Sequence, residues 1–189
     1  MNSTHEKIIL AIIGPIGSGK GTAASYLERR YGARIFKSSA PLRSVLQTLN
    51  QEVSRENMQL LSRILREGFG QNAIAQVAKR DMAAFSGRVS IFDGARRPED
   101  LSLFMEMENF FLIYIEADAE TRYSRVVARA ENGGDSEKTY EGFLHEEASE
   151  AESRTKSFKA IAHFVVDNSG NEAAFNEGIE AVIAQILSV

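Results

Sequence analysis

Five short apolar runs, at residues 7–13, 33–37, 88–93, 110–116 and 163–167, alternate with longer stretches whose apolar residues recur every three or four positions. The first run is continuous and rich in β-branched residues, the pattern of a central parallel strand covered on both faces. A glycine turn at 14–19 follows it, then a helical stretch over 20–30 with Ala23, Ala24 and Leu27 facing the core. After the second run, Pro41 suits a first helical turn, and Leu42, Val45, Leu46 and Leu49 repeat at helical spacing. Residues 51–85 read as wholly helical and are broken near Gly68 and Gly70. Pro98 opens a short helix, and Asp118 caps one that runs to about Ala130. Residues 132–135 are loop-like, 137–153 form an acidic helical segment, and 168–171 turn into a last helix lined by Phe175, Ile179, Val182, Ile183 and Ile186. This alternation predicts a three-layer α/β fold with a mostly parallel five-stranded sheet, one domain across residues 1–189.

Composition narrows the partners. A net charge of -4 and a pI near 5.5 disfavour a surface for nucleic-acid phosphates, which calls for clustered Lys and Arg. The absence of cysteine removes disulfides, thiolate metal sites and thiol catalysis. No run approaches the ~20 apolar residues of a transmembrane helix. The expectation is a soluble, cytoplasmic protein that works on a small molecule, with no nucleic-acid or membrane partner. His5, His145 and His163 show no metal-ligand spacing.

The chemistry begins at Gly14-Pro15-Ile16-Gly17-Ser18-Gly19-Lys20-Gly21-Thr22, which has the spacing of a P-loop and lies between a predicted strand and a predicted helix. Backbone N–H groups of such a loop converge on phosphate oxygens, and the helix that follows presents its positive end. Lys20 would reach the β- and γ-phosphates. Asp93, at the carboxyl end of the third run, can hold Mg2+ directly or through water; the alternative is that it caps the next turn. Arg122, Arg125 and Arg129 share one predicted helix face, with a solvated stripe as the alternative, most of all for Arg122.

The Gly-Lys-Gly-Thr ending of the loop resembles the adenylate kinase and nucleoside monophosphate kinase family, and the Ile-Gly-Ser-Gly-Lys core is also similar to dephospho-CoA kinases. The stretch Ser38-Ser39-Ala40-Pro41-Leu42-Arg43 resembles the acceptor-phosphate segment of the monophosphate kinases, with Ala40 where an aspartate is frequent. Asp93-Gly94-Ala95-Arg96 resembles their Asp-Gly-x-x-Arg segment, shortened by one residue, so that either Arg96 or Arg97 faces the acceptor. The resemblance implies ATP and Mg2+ on the P-loop, with Thr22 and Asp93 near the metal, and acceptor binding by Ser38, Arg43 and Arg96 or Arg97. It places the acceptor under a helical insertion at about 44–86 and a short lid at 131–138, with Arg125 and Arg129 at the root of the lid neutralising transferring charge. Arg154 and the 168–171 turn fall where the family brings further groups to the donor.

The implied activity is ATP-dependent phosphoryl transfer to a nucleoside or deoxynucleoside monophosphate. A dephospho-CoA kinase needs a base for its hydroxyl acceptor, and residues 36–43 contain no Asp or Glu, although Asp93 could serve. A nucleotide-dependent accessory or switch ATPase is the other alternative; the Asn-Lys-x-Asp segment of a regulatory GTPase is absent.

Overall fold

The computed structural model describes residues 7–130, 135–148 and 157–188. In chain order the elements are β1 (Ile8–Ile13), α1 (Lys20–Tyr31), β2 (Arg34–Lys37), α2 (Ser39–Thr48), α3 (Arg55–Phe69), α4 (Ala73–Ala84), β3 (Val89–Asp93), α5 (Pro98–Leu101), β4 (Phe110–Glu116), α6 (Ala119–Arg129), α7 (Tyr140–Glu147), β5 (Phe164–Asp167) and α8 (Glu172–Leu187). The expected five strands form one parallel sheet in the order β2-β3-β1-β4-β5. Every residue of β1 is buried, as its unbroken apolar run requires.

Helix boundaries follow local chemistry. Ser54 accepts from the Asn57 N–H to start α3, so 51–54 lie outside the helix that periodicity extended through them. Thr139 starts α7 by accepting from the Gly142 N–H, which shortens the acidic helix predicted from 137. Asp118 and Asn171 cap α6 and α8 in the same way. Of the expected lid, 131–134 lie outside the described residues and Asp135–Glu137 is a single 3-10 turn. Arg154 also lies outside them.

Chain contacts group into two compact units, Met1–Ala11 with Arg30–Phe110, and Ile12–Arg29 with Phe111–Val189. In the first, β3 pairs with β2 and with the start of β1, and the rings of Phe92, Phe104 and Phe110 stack in series at 5.1 and 5.7 Å. In the second, β4 pairs with β5, and Leu27, Ile113, Ile115, Phe143, Phe158 and Ile179 are fully buried. The 44–86 stretch, in the first unit, carries the second half of α2 together with α3 and α4. Among the residues of α3 only Arg66 is buried, while Leu60 and Ile64 are exposed.

Candidate phosphate-binding and acceptor sites

In the second unit the loop after β1 is shaped by close backbone approaches. Gly17 has φ 76° and Gly19 φ 101°, values that side-chain-bearing residues rarely adopt. A Cβ on Gly17 would lie 2.6 Å from the Arg122 carbonyl oxygen, and one on Gly19 would lie 2.1 Å from Asn168 Nδ2. Lys20 opens α1, and its Nζ donates to the carbonyls of Gly14 and Pro15, each at 2.8 Å, so the ammonium crosses the mouth of the loop. Gly21 and Thr22 are exposed, and no atom lies within 4 Å of a Cβ built on Gly21. Thr22 and Gly19 line a cavity of about 200 Å3 with Arg125, Asn168, Glu172 and Phe175.

The three arginines of α6 do not share one environment. Arg122 is buried, which rules out the solvated-stripe alternative for it: its Nε donates to the Ala117 carbonyl at 2.9 Å, and its Nη2 pairs with Glu147 Oε1 on α7 at 2.5 Å. Its Nη1 lies 3.5 Å from the Ile16 carbonyl, and its guanidinium covers the Phe143 ring. Burial without the Glu147 carboxylate would be costly, so the pair explains the position. Arg125 is half-buried at the cavity; Nη2 lies 3.4 Å from Asn168 Oδ1, and Nη1 is buried with no hydrogen-bond partner among the described residues. Arg129 is exposed in the last turn. At the other end of α6, the Thr121 N–H and then its hydroxyl hold the Asp118 carboxyl below its ordinary 3.8.

In the first unit Ser38 meets the end of β3, and Arg96 and Arg97 follow that strand in the chain. The Ser38 N–H donates to the Asp93 carbonyl at 2.9 Å, and Ser38 Oγ donates to the Gly94 carbonyl at 3.0 Å. Ser38 therefore ties two strand ends together and makes no side-chain cap for α2. The Asp93 side chain is half-buried and makes no hydrogen bond among the described residues. Arg96 and Arg97 donate their backbone N–H groups to Asp100 Oδ2 at 3.0 and 3.2 Å, while Asp100 Oδ1 pairs with Arg66 Nη2 at 2.7 Å. Arg66 also donates to the Gln71 carbonyl, and Arg97 Nη1 reaches Gln71 Oε1 at 3.4 Å.

Arg43 stands exposed on α2. A larger cavity of about 670 Å3 opens at β2, lined by Arg34, Phe36, Lys37, Pro41, Val45 and Phe85 among others; Ser38, Arg43, Arg96 and Arg97 do not line it. No group of three or more His, Cys, Asp or Glu side chains among the described residues could hold a metal ion by itself.

Sequence reading missed Arg66, Asp100, Glu147 and the Asn168 side chain. Asp100 had a signal, a carboxylate three residues beyond Arg97 in a turn opened by Pro98, the spacing of a reciprocal helix cap. The other three had none, because their partners are remote in sequence.

A family model described as an AAA domain matches residues 13–142, from the end of β1 into α7. The chain belongs to this family, AAA_17. Relatives of this AAA_17 chain include the UPF0200 protein of Hyperthermus butylicus, 23% identical over 98% of both chains. Another is the UPF0200 protein of Sulfurisphaera tokodaii, 26% identical over 95% of this chain and 97% of that one. Among solved structures, TT1252 from Thermus thermophilus matches with a TM-score of 0.62 at 20% identity, covering 95% of this chain and 98% of that one. Shikimate kinase from Acinetobacter baumannii in complex with shikimate matches at 0.54 and 12% identity, covering 97% and 95%. This AAA_17 domain has the parallel five-stranded α/β fold of P-loop NTPases. None of its described helices is long and apolar enough to cross a membrane.

Proposed function

We propose that the chain is an ATP-dependent phosphotransferase whose acceptor is a small phosphorylated molecule, a nucleoside or deoxynucleoside monophosphate. The observation that carries the reading is the P-loop with Lys20 across its mouth, beside a cavity lined by Arg125, whose Nη1 is buried without a hydrogen-bond partner among the described residues. An unpaired buried donor is costly, and a nucleotide in the cavity would satisfy it. Bound MgATP supplies the electrophilic phosphoryl group and the metal charge that offsets the phosphates. Loop amides, Lys20 and Thr22 would hold that nucleotide, Asp93 and Thr22 the Mg2+, and Arg125 with Arg129 would neutralise developing charge. Ser38, Arg43, Arg96 and Arg97 are assigned to the acceptor, since guanidinium groups suit bidentate contact with an anionic phosphate.

A coupled assay across ribo- and deoxynucleoside monophosphates, nucleosides, dephospho-CoA and shikimate tests this. At least one monophosphate should turn over well and nucleosides hardly at all, at a rate nearly flat with pH in the neutral range, because a phosphate oxygen is already ionised.

One observation favours a second reading, a hydroxyl acceptor. The Asp93 carboxylate is not engaged in a hydrogen bond among the described residues and could take a proton, and one fold neighbour is a kinase solved with shikimate, a molecule without phosphate. Asp93→Asn separates the two. In a monophosphate kinase it raises the Mg2+ concentration needed for half-maximal rate. In a hydroxyl kinase it also removes the limb of the pH profile that climbs through one pKa.

A further inference from the structure

The carboxyl end of β5 delivers a side chain that the P-loop motif does not contain. Asn168 continues the ladder beyond β5, its N–H donating to the Glu116 carbonyl at 2.7 Å, and this fixes where its side chain leaves the sheet. The residue is only 5% exposed. Its Nδ2 donates to the Ser18 carbonyl, inside the loop, at 2.8 Å, and its Oδ1 faces Arg125 Nη2 at 3.4 Å. The amide orientation is dictated by these partners. Turned over, it would set oxygen against a carbonyl and an NH2 group against a guanidinium, losing both interactions.

The same side chain explains Gly19. A Cβ there would lie 2.1 Å from Asn168 Nδ2, so the loop approaches this amide more closely than any other residue type permits. Ser18, Gly19 and Arg125 belong to two elements far apart in sequence, and Asn168 touches all three. Gly19, Arg125 and Asn168 also line the cavity of about 200 Å3.

We infer that Asn168 is a positioning residue whose side-chain amide locks the phosphate loop to Arg125, so that loop and arginine meet the donor nucleotide as one rigid unit. This rests on the donor-site reading above. It goes further in making one amide responsible for two functional groups, the loop backbone through Nδ2 and the arginine through Oδ1.

Isothermal titration of MgATP into wild type, Asn168→Ala, Arg125→Ala and the double variant tests it, with a thermal melt of each protein without nucleotide. Each single variant should bind at least ~10-fold more weakly, since a hydrogen bond to a buried or charged group is lost. The double variant should fall short of the product of the two losses by at least ~3-fold, as residues acting through one another do. A purely structural amide would lower the melting temperature and leave the two affinity losses multiplicative, which would overturn the inference. Should Asn168→Ala fail to fold, Asn168→Asp keeps the shape and an oxygen toward Arg125 but opposes the Ser18 carbonyl with a carboxylate. It should also bind ~10-fold more weakly, and wild-type affinity in it would overturn the lock. A wild-type protein that does not bind MgATP defeats the donor-site reading together with this inference. Normal binding by wild type and by the Asn168 variants defeats this inference alone.

Discussion

Each of the two units holds a buried arginine–carboxylate pair that fastens a helix to a loop of functional interest, yet the loops are presented differently. In the P-loop unit, Arg122 touches the loop at Ile16 and pairs with Glu147 on α7. In the other unit the roles of the charges are exchanged: Asp100 gathers the N–H groups of Arg96 and Arg97, and Arg66 of α3 neutralises it. The P-loop unit partly encloses its candidate groups: Ser18 and Asn168 are buried, and Asn168 lines one cavity with half-buried Arg125, while Thr22 and Arg129 stay exposed. In the other unit Arg43 and Arg96 are exposed, and α3 buries none of its apolar residues. A donor site made of backbone can be complete in the chain alone. An acceptor site made of long side chains and a lightly packed helix still has entropy to lose when a ligand orders it.

Cutting either buried pair should give the largest effect and shows whether the symmetry is energetic. Asp100→Ala and Glu147→Ala each leave a guanidinium uncompensated, and each should cost about 3–5 kcal/mol in chemical denaturation. Their functional signatures should part: Glu147→Ala weakens MgATP binding, and Asp100→Ala raises acceptor KM through the loosened Arg96–Arg97 turn. Equal damage to both ligands from both variants would dissolve the comparison.

The same pairs mark where sequence reading stops. The five strands and the P-loop were legible because strand periodicity, glycine spacing and a helix start are local patterns. Arg122 was read with Arg125 and Arg129 as one face because i, i+3, i+7 spacing describes a helix and says nothing of what packs on it. Glu147, which makes its burial possible, lies 25 positions away. Arg66 sat unremarked in an apolar helical run for the same reason, and it proved the buried residue of α3. Ser38 was assigned to the acceptor by resemblance alone; that its hydroxyl donates to the Gly94 carbonyl is a contact set by β2 and β3 pairing in parallel, which no local pattern shows.

Removing a single donor-side charge is the next test in size. Lys20→Ala deletes an ammonium that donates to the loop carbonyls of Gly14 and Pro15, on a half-buried residue at the start of α1 rather than in the core. The rate of transfer should drop at least ~100-fold with the melting temperature nearly unchanged. Near-normal turnover would take the P-loop out of the reaction and leave the enclosed unit without its assigned task.

On the acceptor side the expected loss is smaller and falls on a different constant. Arg43→Ala should raise acceptor KM by about 10-fold, the effect of losing one charge-assisted contact at an exposed site, and leave MgATP affinity alone. Weakened MgATP binding instead would move Arg43 to the donor and break the division of labour.

The smallest effect concerns how firmly the enclosed unit holds α6, the helix that carries Arg122 and Arg125. Asp118 caps it, accepting from the Thr121 N–H at 2.8 Å and from the Thr121 hydroxyl at 2.7 Å, and these bonds hold its carboxyl below the ordinary 3.8. A carboxyl that is more acidic in the folded chain contributes stability that is fully present above its unfolded value and is lost as pH falls through the lower, folded one. Asn is nearly as good a cap as Asp, so Asp118→Asn removes the charge and keeps most of the geometry. Wild type should therefore melt slightly above Asp118→Asn by a constant margin from about pH 7 to about pH 5, and that margin should close only below 3.8, as the wild-type carboxyl protonates. A margin that survives unchanged well below this point would assign the cap to shape alone. A margin that closes already near neutral pH would mean that some other group, and not Asp118, governs how α6 is held.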